Sequence, residues 1–398
     1  SNGTLNIHGT TTNVSAGSSV TVKLNGKSYQ ATVDANGNWQ TSVSSVDLKA
    51  LKDGVATVTA TVTDKEGNSV SATHDLNVLT HTLPNPTINV PFGDGVLNAT
   101  EAQSAQTITG KTGITGAGQT ITLTLNGHNY TGSVDANGNW SVVVPQADVQ
   151  ALQNGNQVIK VTAGDIAGNQ VGGSLTASVD TVAPVITINN FAGDNRLNIQ
   201  EATQAQTLSG TAVGAEAGQK VTIILNGKTY TATVDASGNW TTSIPATDLK
   251  ALSNGDTTIS VSVADKAGNG ASLQETISVD SDPKFAPLLS VNVFAGNDVL
   301  DAGERQNPQT VTGKALYVEA GQVVTVTIGG SSYTGTVKAD GTWSVNIPAG
   351  ALSGLNNGSY TLDVKVSDLS GNSAQASHDF TVNTTASALT VSPLTGDN

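Results

Sequence analysis

Four tryptophans stand at nearly constant spacing along this chain. They are Trp39, Trp140, Trp240 and Trp343, separated by 101, 100 and 103 residues. Each has the same neighbours. A Tyr precedes it by ten residues (Tyr29, Tyr130, Tyr230, Tyr333), and an Asp-x-x-Gly-Asn box begins 25 residues after it, at Asp64, Asp165, Asp265 and Asp368. Periods of roughly 20–50 residues make solenoids, whereas a period near one hundred is a whole domain. The sequence is therefore an array of four near-identical modules, numbered one to four from the N-terminus. In such an array, function is expected in the modules and their junctions rather than in one unique active site.

The predicted boundaries are 1–82, 83–182, 183–282, 283–385 and a further start at 386–398. Modules two, three and four begin near Pro86, Pro184 and Pro287. Ile7-His8-Gly9 aligns with Ile108-Thr109-Gly110, so module one is expected to lack its first strand. Thr395-Gly-Asp-Asn398 repeats Gly193-Asp194-Asn195 and is expected to open a fifth module.

Composition narrows the chemistry. There is no Cys, which removes disulfides, thiolate zinc sites and Cys nucleophiles. There is no Met and no signal peptide, so the sequence is expected to be internal to something longer. No apolar run approaches a membrane span. Aromatic residues make up 4%, so each core is expected to be Val, Ile, Leu and Ala around one Trp. The net charge of −14, from 31 acidic and 17 basic residues, leaves no basic stripe for phosphates and argues against nucleic acid. It suits divalent cations, and it also suits plain solubility.

Module three shows the local pattern most clearly. Val221, Ile223 and Leu225 alternate with polar residues and run into Asn226-Gly227, a half-buried strand ending in a tight hairpin. Tyr230, Ala232 and Val234 alternate on the return strand, and a turn at Asp235–Asn239 leads into Trp240. Asp248–Gly255 reads as one helical turn on a crossover. Ile259, Val261 and Val263 alternate again, and the Asp265 box turns the chain into a last strand ending at Val279. About seven short strands with a turn signal roughly every ten residues predict an all-β fold, tandem immunoglobulin-like β-sandwich domains arranged as an elongated rod.

An oxygen-rich loop opens each complete module. Module two has Asp94, Asn98 and Glu101; module three has Asp194, Asn195, Asn198 and Glu201; module four has Asn297, Asp298, Asp301 and Glu304. Hard cations such as Ca²⁺ take about six to eight oxygens from carboxylates, amides and carbonyls. Strand counting puts this loop and the end of the last strand at the top of a module. The Asp-x-x-Gly-Asn turn and the turn before Trp fall at its bottom. In a head-to-tail array, Asp94, Asn98, Glu101 and Asp180 are then expected to face Asp235 and Asp265. Likewise Asp194, Asn195, Asn198, Glu201, Asp280 and Asp282 are expected to face Asp368. Calcium at these inter-domain junctions is the predicted cofactor. Leu79 stands where Asp180 and Asp280 stand, so no full site is expected at the first junction. Asp and Asn are also ordinary turn residues. That explains the turns before Trp, where module four carries Lys338, but a turn alone does not ask for the Glu of the oxygen-rich loops.

Other chemistry is thin. His8, His74, His81, His128 and His378 occupy unrelated places in the repeat, and no nucleophile elbow, phosphate loop or zinc motif occurs. No catalytic residue is predicted and no enzyme is expected.

Asp180-Thr-Val-Ala-Pro184, Gly193-Asp-Asn-x-Leu-Asn-x-x-Glu-Ala202, Leu225-Asn-Gly-Lys-Thr-Tyr230, Asp235-x-x-Gly-Asn-Trp240 and Ala264-Asp-Lys-Ala-Gly-Asn269 carry a resemblance over essentially the whole chain. It resembles the tandem bacterial Ig-like domains of giant, type I-secreted, calcium-binding non-fimbrial adhesins. The resemblance implies an extracellular rod at the bacterial surface, stiffened by Ca²⁺ between domains. It implies export of an unfolded chain that folds where calcium is millimolar, and glycan binding in some modules. Leu79 and Lys338 depart from the pattern. Three readings follow: an internal adhesin segment presenting adhesion to host cells or surfaces, glycan- or receptor-binding modules with specificity in exposed loops, and accessory domains of a surface enzyme. The expected partners are an unidentified host-surface or glycan receptor and the neighbouring Ig-like domains of the same chain. Nucleic acid and membrane insertion are not expected, and a monomer is.

Overall fold

In the computed structural model, residues 3–80, 82–115 and 118–391 are described. The expected opening of a fifth module at its Gly-Asp-Asn lies outside them. The chain forms two compact units, one ending at Val182 and the next starting at Ala183. Buried apolar residues gather into four clusters, each within one Trp repeat.

Module three again serves as the template. Its strands are β1 (Val185–Ile186), β2 (Arg196–Asn198), β3 (Gln206–Val213), β4 (Lys220–Leu225), β5 (Lys228–Thr233), β6 (Asn239–Ile244), β7 (Gly255–Ala264) and β8 (Gly270–Asp280), with one helical turn α1 (Ala246–Leu249) before β7. They form a three-stranded sheet, β1-β3-β6, and a five-stranded sheet, β2-β8-β7-β4-β5. This is the expected sandwich. Val221, Ile223 and Leu225 are buried, and their neighbours face outward. The hairpin turn is carried by Asn226 and Gly227, both in the left-handed region (φ 50° and 74°).

One strand was not read from sequence. β2 lies inside the oxygen-rich loop and pairs parallel with the end of β8, with Leu197 opposite Val279 and Asn198 opposite Asp280. Three residues are too few to show alternation, and the Asp and Asn around them read as turn. Leu197, fully buried, ties the middle of the loop to the core, as Phe191 and Ala202 do at its two ends.

Trp140, Trp240 and Trp343 are buried as expected, while Trp39 is half-buried. A glycine faces each ring. A Cβ on Gly210 would stand 1.9 Å from the Thr187 carbonyl and 2.7 Å from the Trp240 ring; Gly110 and Gly313 are enclosed in the same way by Thr87 and Ser290. Gly9 meets only Trp39, because among the described residues the Leu5–Thr10 strand pairs with Asn38–Val43 alone and no first strand lies over it.

The Tyr of the first three repeats has a structural task. Tyr29, Tyr130 and Tyr230 donate to Asp47, Asp148 and Asp248 on the helical turn, at 3.1, 2.9 and 2.7 Å. Burial, and then the bonded carboxylate, push the Tyr130 and Tyr230 hydroxyls up to about 12. Among the described residues, no helix is long and apolar enough to cross a membrane.

Candidate functional site

The second unit contains the joint between modules three and four, and most of the residues expected there can be placed. Asn198 and Glu201 bond each other: Asn198 Oδ1 accepts from the Glu201 N–H at 2.8 Å, and Glu201 Oε2 accepts from the Asn198 N–H at 2.9 Å. This reciprocal arrangement has the form of a capping box over the turn Asn198–Glu201, which leads into the short 3₁₀ segment Glu201–Thr203. Asn98 and Glu101 repeat it in module two at 2.9 and 3.0 Å, and Asp301 and Glu304 in module four at 2.8 and 3.0 Å. The Glu that a plain turn does not require is therefore accounted for by helix capping.

Three more expected ligands are engaged elsewhere. Asp194 is exposed and accepts from Arg196 N–H within its own loop, as Asp94 does from Val96 N–H. Asn195 has φ 64°, which turns its side chain back onto its own module. There it accepts from Phe191 N–H at 2.7 Å and donates to Glu275 at 3.0 Å. Its counterpart Asp298 pairs with His378 at 2.7 Å, so the one histidine with an acidic partner among the described ion pairs belongs to this brace. Asp282 caps the turn Pro283–Phe285 through Lys284 N–H. Asp235 holds its own exposed turn by accepting from Ser237 and Asn239 N–H.

What the structure does bring together is the end of β8 and the bottom turn of module four. Asn372 is the hub. Its Oδ1 accepts from the Ile199 N–H at 2.8 Å, in the oxygen-rich loop of module three. Its Nδ2 donates to the Asp280 carbonyl at 3.0 Å, to the Asp280 carboxylate at 3.4 Å and to Asp368 Oδ2 at 3.0 Å. Asn198 also borders this place: its Nδ2 is 3.6 Å from where a Cβ on Gly371 would stand. Asp368 and Asn372 are buried, at 4% and 8% exposure, whereas the matching Asn68 of module one is exposed.

The turn itself is self-sufficient. Asp368 Oδ1 accepts from Ser370 and Asn372 N–H, as Asp265 accepts from Asn269 N–H at 2.8 Å. A further carboxylate reaches it, one that the sequence did not single out: Glu319 Oε2 accepts from Leu369 N–H at 2.9 Å. Glu216 does the same to Lys266 N–H at 2.7 Å. The signal was available, since Glu216 and Glu319 are separated by the same 103 residues as Trp240 and Trp343. It was hidden because modules one and two have no Glu there.

The electrostatics of this joint are one-signed. Burial pushes the pKa of Asp280 above the ordinary carboxylate value, the nearby Asp368 carboxylate adds to the rise, and Glu319 adds further; only the Asn372 amide opposes. No cationic side chain figures among these influences. Among the described residues, no three His, Cys, Asp or Glu side chains stand close enough to form a ready metal cluster. The donor set nonetheless fits a hard cation: carboxylates from Asp280 and Asp368, amide and carbonyl oxygens around them, and uncompensated negative charge. A bound cation would supply the missing positive charge.

The joint between modules one and two, in the first unit, keeps the hub and loses the charge. Asn169 Nδ2 donates to the Leu79 carbonyl at 2.9 Å and to Asp165 at 2.9 Å. Leu79 brings no carboxylate, and Pro84 packs against Gly113. Asp180 follows the first unit's last strand: its N–H donates to the Leu97 carbonyl at 2.9 Å, and its carboxylate accepts from Val182 N–H at 3.2 Å.

Each linker is also clamped from behind by the residue before the last long strand pair. Asp53 accepts from Thr80 N–H at 2.6 Å, Asn154 from Thr181 at 3.1 Å, Asn254 from Ser281 and Asp282 at 3.0 Å, and Asn357 from Thr384 at 3.0 Å. In sequence this Asn looked like no more than the end of the helical turn.

No curated protein matches the chain. Among solved structures, it is similar to a Ca²⁺-stabilized adhesin that helps an Antarctic bacterium reach out and bind ice, with 34% identity over 96% of this chain and 94% of that one and a TM-score of 0.38. It is similar to a 1.5-MDa bacterial ice-binding adhesin, with 31% identity over 77% of this chain and 100% of that one and a TM-score of 0.39. A bacterial immunoglobulin-like domain from the M. primoryensis ice-binding adhesin is 35% identical over 25% of this chain and 100% of that one, with a TM-score of 0.21. The family model for the bacterial Ig-like domain matches residues 3–80, 191–281 and 304–384, well over half of the sequence. By its repeats, its sandwiches and this match, the chain belongs to the bacterial Ig-like domain family.

Proposed function

We propose that this chain is an internal stretch of a large bacterial surface adhesin, in which Ig-like modules act as spacers whose joints are set by Ca²⁺. The adhesin class is carried over from sequence relatives, one of them a Ca²⁺-stabilized adhesin at 34% identity. The observation that supports the joint chemistry is the meeting of the Asp280 and Asp368 carboxylates at the Asn372 amide, where burial first, and then Asp368, push the pKa of Asp280 up. Like charges at a buried joint push the modules apart, and a divalent ion neutralises them. Extracellular modules typically bind calcium at about 10⁻⁴–10⁻³ M, which suits occupancy outside the cell and an empty site inside.

In the second unit the proposed ligands are Asp280 and Asp368, with Glu319 close by and Asn198 holding its cap beside them. Asp94, Asn98, Glu101 and Asp180, and likewise Asp194, Asn195, Glu201, Asp265 and Asp282, serve the caps and turns described above, and any ligand role is additional to that work. The surface that the adhesin contacts lies beyond these modules in this proposal, and the location is extracellular.

Calorimetric titration of calcium into metal-stripped protein tests the proposal. Binding heat in the millimolar range or tighter, reduced by Asp280→Asn, is expected. Absence of heat, together with unchanged melting in chelator, would leave these carboxylates as turn residues only.

A further inference from the structure

The joint between modules three and four has a second fastening, aromatic and uncharged, which the calcium reading does not use. Phe285 ends the short turn Pro283–Phe285 in the linker. Its ring stands edge-on to Tyr317 of module four, with centroids 5.6 Å apart and planes at 87°. Both rings are half exposed, at 46% and 50%. An edge-to-face pair at this distance is an attractive geometry, because the positive ring edge meets the negative face.

Tyr317 reaches this position through an unusual backbone. Its φ is 60°, in the left-handed region. A bulky residue there is an outlier that the surrounding structure must hold in place. Module three has Gly214 at the matching place, with φ 95°; the match is fixed by Ala212 and Ala315, whose N–H groups donate to Gly238 and Gly341 at 2.8 Å. A glycine adopts this conformation freely. Module four thus keeps a strained tyrosine where its neighbour folds the same loop with glycine.

We propose that Phe285 and Tyr317 form a latch that keeps the joint between modules three and four set in the absence of bound cation. The linker is gripped at both ends. Asn254 of module three accepts from Ser281 and Asp282, and Pro283 stiffens the turn that follows. Tyr317 of module four then holds Phe285. No carboxylate or ammonium group takes part in the aromatic contact, so it does not depend on calcium or on the charge of Asp280.

The full chain lacks cysteine, so spin labels can be placed singly on exposed strand positions, Thr258→Cys in module three and Ser359→Cys in module four. Distance distributions are then recorded in chelator and in calcium. In chelator the latch predicts a narrow distribution for the parent protein, and Tyr317→Gly raises the population of open joints about two- to tenfold, the worth of one aromatic pair. Glycine suits the backbone there, so the module stays folded. Tyr317→Phe keeps the ring and should stay narrow. If Tyr317→Gly matches the parent in chelator, or Tyr317→Phe is as broad as Tyr317→Gly, the latch is wrong. Whether calcium narrows the Tyr317→Gly distribution is a separate result that bears on the calcium reading alone.

Discussion

The side-chain amide of Asn372 donates to the backbone carbonyl of Asp280 at 3.0 Å, and more weakly, at 3.4 Å, to its carboxylate. The first bond asks nothing of the side chain at position 280. Asn169 makes it to Leu79 at 2.9 Å. Docking and charge are therefore separable at these joints, and Asp280→Asn should separate them. In chelator the variant should melt at a higher temperature than the parent, since a buried like-charge approach is gone. Its calcium-induced rise in melting temperature should shrink. Scanning calorimetry with and without calcium reads both, and a variant with the parent's full calcium response would remove Asp280 from the ligand set.

Acidity gives an independent handle on the same group. The folded-state pKa of Asp280 is raised above the ordinary 3.8. Its contribution is therefore most favourable below 3.8 and is lost as pH rises through the raised value. In chelator, the stability difference between the parent and Asp280→Asn should narrow as pH falls from neutrality into the carboxylate range. The turn residues Asp64, Asp135 and Asp235 are shifted downward, chiefly by hydrogen bonds from their own turns, and act in the opposite direction. They cancel in the comparison of the two proteins. A difference that stays constant with pH would contradict the assignment.

Glu201 distinguishes capping from metal binding. Glu201→Ala should destabilise module three by about 1 kcal/mol in chelator as well as in calcium, as loss of a cap does. Glu201→Gln keeps an acceptor for the Asn198 N–H and should cost less. Chemical denaturation in both conditions measures this. A loss confined to calcium would mean that the carboxylate acts mainly on the ion.

The glycine under the tryptophan is a steric test of the sandwich. Gly210→Ala would press a methyl against the Thr187 carbonyl and the Trp240 ring, and should cost about 3 kcal/mol or more. Gly9→Ala meets only the half-buried Trp39 and should cost less. Equal losses in urea unfolding would argue against this account of the packing.

Much of this was legible in the sequence. Period-two alternation at Val221, Ile223 and Leu225, and the Asn-Gly turn after them, state the sandwich directly. The pairing of top loop with bottom turn followed from counting strands, and the Ile199–Asn372 bond has that relationship. The individual ligands were harder to read. Asn-x-x-Glu is written the same way whether it caps a turn or binds an ion, so Asn198 and Glu201 could not be resolved. Asn195 faces inward because of a left-handed backbone that composition does not announce. Glu319 reaches the Asp368 turn from a loop 49 residues earlier in the chain, and proximity of that kind appears only once the sheets are closed.

The bond from Asn372 to a main-chain oxygen has an evolutionary consequence. A coupling addressed to the backbone accepts any successor residue, so duplicated modules can be joined in any order without redesigning the socket. Selection can then tune each hinge through one linker position, Leu in one place and Asp in another. A long filament built this way carries its own programme of compliance, in which some bends answer to the salts of the surrounding medium and others ignore them.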